Sequence, residues 1–288
     1  MDIKAILMGL AFAAMWSSAF TSARIIVEYA PPLTALACRF LISGVIGVAI
    51  AAALGQSARL SRRQWMGVLI FGLCQNALYL GLNFVAMQTV EASLAAIIAS
   101  TMPLLVALAG WLILGQRLRM LGVAGLIAGI IGVAIIMGAR LQGGVDPYGL
   151  ILCLIGVVSL TIATLAVLGA SSGGNVLMIV GLQMLIGSAV LWVPALALET
   201  FDVTWSWQLV AAFAYTTIVP GLIATWVWFN LVGRIGAVKA STFHFLNPFL
   251  GVAIAAVLLG ERVTLLDVAG VIIIAGGILA VQLSKQPS

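Results

Sequence analysis

Charge is what this chain has least of. Only 7% of its 288 residues are Asp, Glu, Lys or Arg, while 64% are hydrophobic, and the mean hydropathy is +1.25. A water-soluble domain needs a far more polar surface, so that class is excluded. There is a single histidine, and the 8 acidic residues fall at the ends of apolar runs or between them. With no HExxH and no carboxylate within a run to partner an imidazole, a membrane hydrolase lacks its parts. No GxxxxGK[ST] loop is present and no polar piece is long enough for a nucleotide-binding domain, which excludes ATP drive by this chain. The three cysteines, Cys38, Cys74 and Cys153, lie inside apolar runs without paired spacing. They read as packing residues, neither disulfides nor metal ligands, and no cofactor is expected.

What is present is a succession of apolar runs, each about 20 residues long and so able to cross a hydrocarbon core as a helix. They lie near 3–23, 32–54, 64–86, 92–114, 120–139, 147–168, 175–197, 206–232, 239–259 and 265–283, separated by pieces such as "EYAPP", "QGGVDP" and "ASSGGN". The runs are apolar all round and lack the alternation of a transmembrane barrel, which leaves helices as the spanning structure. The first run has signal-peptide features, but nine further spans favour its retention as a helix. The expectation is an all-α integral membrane protein of ten transmembrane helices.

Orientation follows from the basic residues between spans. With a cytoplasmic N-terminus, Lys4, Arg59, Arg62, Arg63, Arg117, Arg119, Arg234, Lys239 and Lys285 lie inside, and only Arg24, Arg140 and Arg262 outside. Both termini are therefore expected in the cytoplasm. The net charge of +5 is then a topology signal with contact to anionic lipid, and no nucleic-acid partner is called for.

The sequence also repeats. Laying Pro103 over Pro248 aligns "EASLAAIIASTMPLLVALAGWLILGQRLRMLGVAGLIAGIIG" with "GAVKASTFHFLNPFLGVAIAAVLLGERVTLLDVAGVIIIAGG" without a gap, placing Gly115-x-Arg117 over Gly260-x-Arg262. The two units are 3–139 and 147–283. Five spans is an odd number, so the second copy enters the membrane upside down, the inverted-repeat architecture of secondary transporters. The start of each half aligns less well.

A proline in the fourth span, "GQR" or "GER" at the next turn and a glycine-spaced fifth span, twice over, resemble the two EamA-type units of the drug/metabolite transporter superfamily. Arg39-Phe40 fits the first-unit pattern too. The chain departs from it where Gln116 stands opposite Glu261, and where Gln183 lies at about the place of Arg39 in the second unit. The aromatic and polar mixture in spans three, eight and nine looks most like the YddG-type exporters of aromatic and other neutral amino acids. The resemblance implies a bacterial inner-membrane exporter with a central cavity and an amino-acid substrate, with no ATPase subunit evident; a monomer is compatible with it. Multidrug or nucleotide-sugar carriers of the same superfamily, and a non-carrier channel, are the alternatives.

Polar side chains in lipid are costly, so those within spans are expected to face protein or water. Gln75, Tyr79 and Asn83, four apart, form one helical stripe in span three, with Asn76 adjoining. It reads as a cavity wall or as interhelical glue. Ser241, His244, Asn247 and Pro248 share a face of span nine; the matching part of span four carries Ser100, Thr101 and Pro103. Each proline removes a backbone hydrogen bond and is expected either to line a cavity or to make a packing kink. Trp16, Ser17 and Ser18 in span one and Ser159, Thr161 and Thr164 in span six complete a ring, with Trp226 and Trp228 as buried indoles of span eight. Trp65, Trp205 and Trp207 lie near span ends, where indoles anchor at the interface.

Arg39 either snorkels to the outer interface or pairs with a substrate carboxylate or a neighbouring carbonyl. The glycines of spans five and ten, Gly122, Gly125, Gly129, Gly132, Gly270, Gly276 and Gly277, read as close helix contacts. The absence of a carboxylate within the spans points to facilitated diffusion. In the repeat, His244 lies over Ala99 and Asn247 over Met102. The polar groups belong to one half only, which fits orientation-specific substrate binding, with a satisfied structural histidine as the alternative reading.

Overall fold

A computed structural model describes residues 3–113, 115, 119–167, 173–235, 240 and 242–284. Among these, nine helices are long and apolar enough to cross a membrane: α1 (Ile3–Tyr29), α2 (Pro32–Ala53), α3 (Arg62–Ala86), α4 (Ala92–Leu112), α5 (Met120–Gln142), α6 (Pro147–Ala166), α7 (Val176–Leu198), α8 (Trp207–Ile235) and α10 (Leu265–Ser284). A shorter apolar helix, α9 (Phe243–Leu259), falls where the ninth span is expected. The chain is an all-α, multi-pass membrane protein.

The helices cluster into two compact units that mix the sequence halves. Unit 1 is Met1–Thr21, Thr89–Ile151 and Val227–Ser288, and unit 2 is Ser22–Gln88 and Leu152–Trp226. In unit 1, α5 and α10 cross with backbones touching. A Cβ on Gly277 would stand 2.6 Å from the Gly125 carbonyl oxygen, and one on Gly125 2.7 Å from that of Gly277. Without water to drive association in lipid, such close approach supplies the dispersion contact that holds two helices. Gly129 makes room for Leu104, Gly132 meets the Gly270 carbonyl oxygen, and Gly270 meets Ile136. Gly276 departs from the expectation, since its Cβ would meet open space.

Unit 2 repeats the device with α2 and α7. Gly44 and Gly47 lie against Gly181, and a Cβ on Gly181 would stand 2.7 Å from the Val48 nitrogen. The ends of these two helices cap each other. Glu199, just after α7, accepts hydrogen bonds from the Leu33 and Thr34 N–H groups at 2.8 Å each and from the Thr34 hydroxyl at 2.7 Å. Gln56, just after α2, accepts one from the Met178 N–H at the start of α7 at 3.1 Å. In unit 1, Glu261 likewise accepts from the Ala92 and Ser93 N–H groups of α4 at 2.8 and 3.0 Å. First-turn N–H groups have no partner within their own helix and carry the positive end of its dipole, so a carboxylate there is held firmly.

Two features extend the repeat beyond what the sequence alignment shows. α3 contains a π-helical stretch, Gly72–Leu80, and α8 another, Thr217–Ile223. Their starts are separated by the same shift that lays Pro103 over Pro248. In α8 the stretch holds Pro220, whose missing N–H the wider turn accommodates.

The prolines of α4 and α9 start new helical segments and do not kink continuous ones. α4 is helical over Ala92–Ala99, turns at Ser100 and Thr101, and resumes at Met102–Leu112 with Pro103 in its first turn. α9 runs from a 3-10 turn, Thr242–Leu246, into an α-helix, Asn247–Leu259, with Pro248 likewise placed. Proline suits that position because its N–H has no partner to lose.

Candidate functional site

Unit 1 gathers six of the expected side chains where α9 changes from 3-10 to α-helix. The Asn247 amide nitrogen stands 3.0 Å from His244 Nδ1. With the amide so placed its nitrogen donates and Nδ1 accepts, which assigns the tautomer with the ring proton on Nε2. Aromatic rings enclose it. The Trp228 ring centroid lies 5.1 Å from that of His244 at an interplanar angle of 66°, and that of Phe12 5.5 Å away at 82°, both edge-on. Phe12 in turn packs on Trp228 at 4.7 Å and on Trp16 at 5.7 Å.

Ser17 donates to the Asn247 carbonyl oxygen at 3.4 Å. Gly9 lets α1 sit directly on the Phe243 ring, which positions the aromatic face against α9. His244 and Asn247 are 8% and 6% exposed. Asn247 Oδ1 is buried with no hydrogen-bond partner, a condition that costs free energy unless a donor reaches it.

Pro248, next in sequence to Asn247, is buried, and Ser100 and Pro103 belong to the α4 break in the same unit. The hydroxyls at that break are used locally: Ser100 donates to the Ala96 carbonyl and Thr101 to that of Ile98, each at 2.6 Å. They satisfy helix carbonyls at the interruption. Ser241 lies outside the described residues.

Unit 2 holds the span-three stripe. Tyr79 and Asn83 are each 1% exposed, and the Asn83 amide donates to the Tyr79 carbonyl at 2.8 Å. Gly156 of α6 makes room for both; its Cβ would stand 2.7 Å from the Asn83 amide nitrogen. Asn76 donates to the Gln183 carbonyl of α7 at 2.9 Å, a bond that joins helices. Gln75 is buried at the same level. Thr161 and Thr164 donate to carbonyls of their own helix, those of Val157 and Leu160.

The two α8 indoles part company. Trp228 faces the cluster, whereas Trp226, two residues earlier and so on the opposite face, is 53% exposed. The expectation of two buried indoles is corrected for Trp226. Trp205 and Trp207, at 79% and 76% exposure, fit interface anchors.

Two further expectations need correction. Arg39 does not snorkel: it is 5% exposed, with its guanidinium carbon 5.1 Å from the Phe40 ring centroid. A buried carboxylate also exists. Asp267, in the first turn of α10, is 1% exposed. Arg140 grips it with two hydrogen bonds, Nε to Oδ1 at 3.1 Å and an Nη to Oδ2 at 2.9 Å, and also pairs with Glu91. The Thr264 N–H and hydroxyl reach Oδ2 at 2.8 Å each. Both oxygens of this carboxylate are engaged, which leaves it a fixed structural charge at a span end.

Phe12 is the member of the aromatic enclosure that sequence reading missed. An apolar ring in an apolar span carries no contrast; its spacing of four from Trp16 was the available signal.

The model of the EamA-like transporter family matches residues 3–138 and again 147–283. Over 273 residues the chain is 29% identical to YvbV of Bacillus subtilis (strain 168), described as an uncharacterized transporter, covering 94% of this chain and 89% of that protein. It is 27% identical over 279 residues to YedA of Escherichia coli (strain K12), described as an uncharacterized inner membrane transporter, covering 94% and 88%. A solved crystal structure 22% identical in sequence superposes with a TM-score of 0.69, covering 98% of this chain and 99% of that one, a likeness of fold.

Proposed function

The chain belongs to the EamA-like transporter family, and from that premise we propose that it exports amino acids, aromatic and other neutral ones, and related small metabolites. It works by alternating access as a facilitative uniporter in a bacterial inner membrane. The five-helix repeats, 3–139 and 147–283, are inverted with respect to each other, and both termini are cytoplasmic.

One observation carries the substrate class. Phe12, Trp16 and Trp228 surround a neutral imidazole and an amide whose buried Oδ1 lacks a donor. Aromatic faces and edges suit an aromatic or aliphatic side chain, and the amide oxygen suits a substrate N–H or ammonium group. Because the ring is neutral, it takes part as a hydrogen-bonding group and carries no proton across. The acidic side chains described at span ends, Glu91, Glu199, Glu261 and Asp267, are engaged in helix caps or ion pairs. None is a free carboxylate of the kind a proton or sodium relay uses.

The test is efflux of labelled neutral amino acids from liposomes holding the purified protein. The reading expects saturable efflux down the amino-acid gradient, unchanged when the pH gradient is collapsed. Efflux that requires an imposed proton gradient removes the uniport mechanism; no acceleration for any neutral amino acid removes the substrate class.

A further inference from the structure

We propose that Glu261 is a releasable latch on the α4–α9 contact of unit 1; the inference rests on the alternating-access reading above and deepens it. α9 ends at Gly260, which is left-handed at φ +68°, and that turn leads into the residue that reaches the start of α4. There the Glu261 carboxylate takes the Ala92 and Ser93 N–H groups at 2.8 and 3.0 Å. Further along, Gly251 meets Ala96, whose Cβ would stand 2.6 Å from a Cβ on the glycine. The two segments therefore run antiparallel, and this register sets Asn247, four residues before Gly251, level with Ser100, four after Ala96. One α9 segment, Asn247–Leu259, carries the His244–Asn247 group at one end and the latch at the other. Both partners are bounded by interrupted helix, at Ser100 and Thr101 in α4 and at Thr242–Leu246 in α9, the kind of element end at which hinges form.

A second cap of the same design shows why this one opens. In unit 2, Glu199 takes the Leu33 and Thr34 N–H groups and the Thr34 hydroxyl as well. In unit 1 the residue in the place of Thr34 is Ser93, and its Oγ is buried without a hydrogen-bond partner. Opening the Glu199 cap loses three bonds. Opening the Glu261 cap loses two and lets water reach an unsatisfied hydroxyl, which offsets part of the loss. The helices behind the caps differ in the same sense. α2 and α7 are joined further along by the Ser188 hydroxyl, which donates to the Ala37 carbonyl at 2.8 Å, and at the far end by Gln56 on the Met178 N–H. The start of α4 is held from another side, because Glu91 pairs with Arg140, which grips Asp267, so α9 is the part that moves. The repeat lays Gln116 over Glu261, and a charged latch is therefore encoded in one half only.

Amide hydrogen exchange of the full-length protein in detergent, resolved to single residues, reads the two caps side by side. After correction for intrinsic rates, Ala92 and Ser93 are expected to exchange about tenfold or more faster than Leu33 and Thr34 in wild type. The two hydroxyls are then removed one at a time. Ser93→Ala deletes an unsatisfied group and is expected to slow exchange at Ala92 about fivefold or more, whereas Thr34→Ala deletes a bond and is expected to speed exchange at Leu33 by a similar factor. A static cap gives no such reversal of sign. Glu261→Gln, a weaker acceptor, is expected to speed exchange at Ala92 and Ser93.

The same measurement with saturating phenylalanine links the latch to transport. A change at Ala92 and Ser93 with none at Leu33 and Thr34 upholds coupling between the Asn247 end of α9 and its latch end. The expected exchange pattern without a response to phenylalanine or any other neutral amino acid upholds the latch and removes the substrate reading, so the two failures are distinct. Wild-type exchange at Ala92 and Ser93 as slow as at Leu33 and Thr34 overturns the proposal. So does a Ser93→Ala protein whose exchange at Ala92 is unchanged or faster. If Glu261→Gln does not fold, wild type and the two alanine variants decide the matter alone.

Discussion

At the scale of single residues, the account turns on His244 and Asn247. The amide nitrogen lies against Nδ1, which leaves Nε2 of the imidazole and the unpartnered Oδ1 of the amide as the groups the proposed substrate would engage. His244→Gln keeps an amide of similar reach and is expected to retain transport with an altered order of preference among neutral amino acids. His244→Ala removes the hydrogen bond and the ring that stands edge-on to Phe12 and Trp228, and is expected to lower the efflux rate about tenfold or more. Initial rates over a panel of amino acids check this; indifference of every rate to His244→Ala assigns the residue to packing.

The residue scale is also where sequence reading ran short. His244 and Asn247 were legible because polar groups stand out in an apolar span. Phe12 was not, since burial of an aromatic ring is the default there. Tyr79 and Asn83 show the converse: their spacing marked a shared face, but nothing in the sequence placed Gly156 of α6 against it or closed the Asn83 amide onto the Tyr79 carbonyl.

At the scale of helices, glycines and end caps hold the units together. Gly277→Leu drives a side chain into the Gly125 carbonyl and the backbone at Gly129, and should destabilise the protein by about 3 kcal/mol or more. Gly276→Leu meets open space and should be nearly silent. Thermal melts of the two variants in one detergent separate a helix contact from a general intolerance of bulk. The sequence marked both glycines alike, because their adjacency in "AGG" says nothing about which one faces α5.

The cap at the start of α6 gives a pH test. The Thr89 hydroxyl, followed by the Gly149 and Tyr148 N–H groups, holds the Asp146 carboxyl below its ordinary value of 3.8. A depressed carboxylate stabilises the folded state above the unfolded value and loses that contribution as pH falls through the folded one. The melting-point difference between wild type and Asp146→Ala should therefore be constant from neutral pH down to about 5 and shrink only below 3.8. A difference that changes between pH 6 and 8 contradicts this cap. The π-helical stretches of α3 and α8 belong to the same scale. The proline in α8 hinted at an irregular helix, but α3 has no proline, and only the structure shows the two halves sharing the feature.

At the scale of the whole molecule, class and span number were legible because they follow from gross composition and the length of apolar runs. The grouping into two units was not. Each unit draws on both halves of the sequence, and the α2–α7 and α5–α10 pairings rest on backbone contacts between helices far apart in the chain. Energetically, the acidic side chains described at span ends serve helix ends and Arg140, as the proposed uniport, driven by the substrate gradient alone, requires.

The most direct test of that claim is counterflow. Proteoliposomes loaded with unlabelled phenylalanine, with no pH, sodium or voltage gradient, are given external labelled phenylalanine. A uniporter accumulates label transiently above equilibrium, by an amount set by the internal load and unaffected by proton or sodium ionophores. Absence of accumulation, or accumulation abolished by a proton ionophore, contradicts the account.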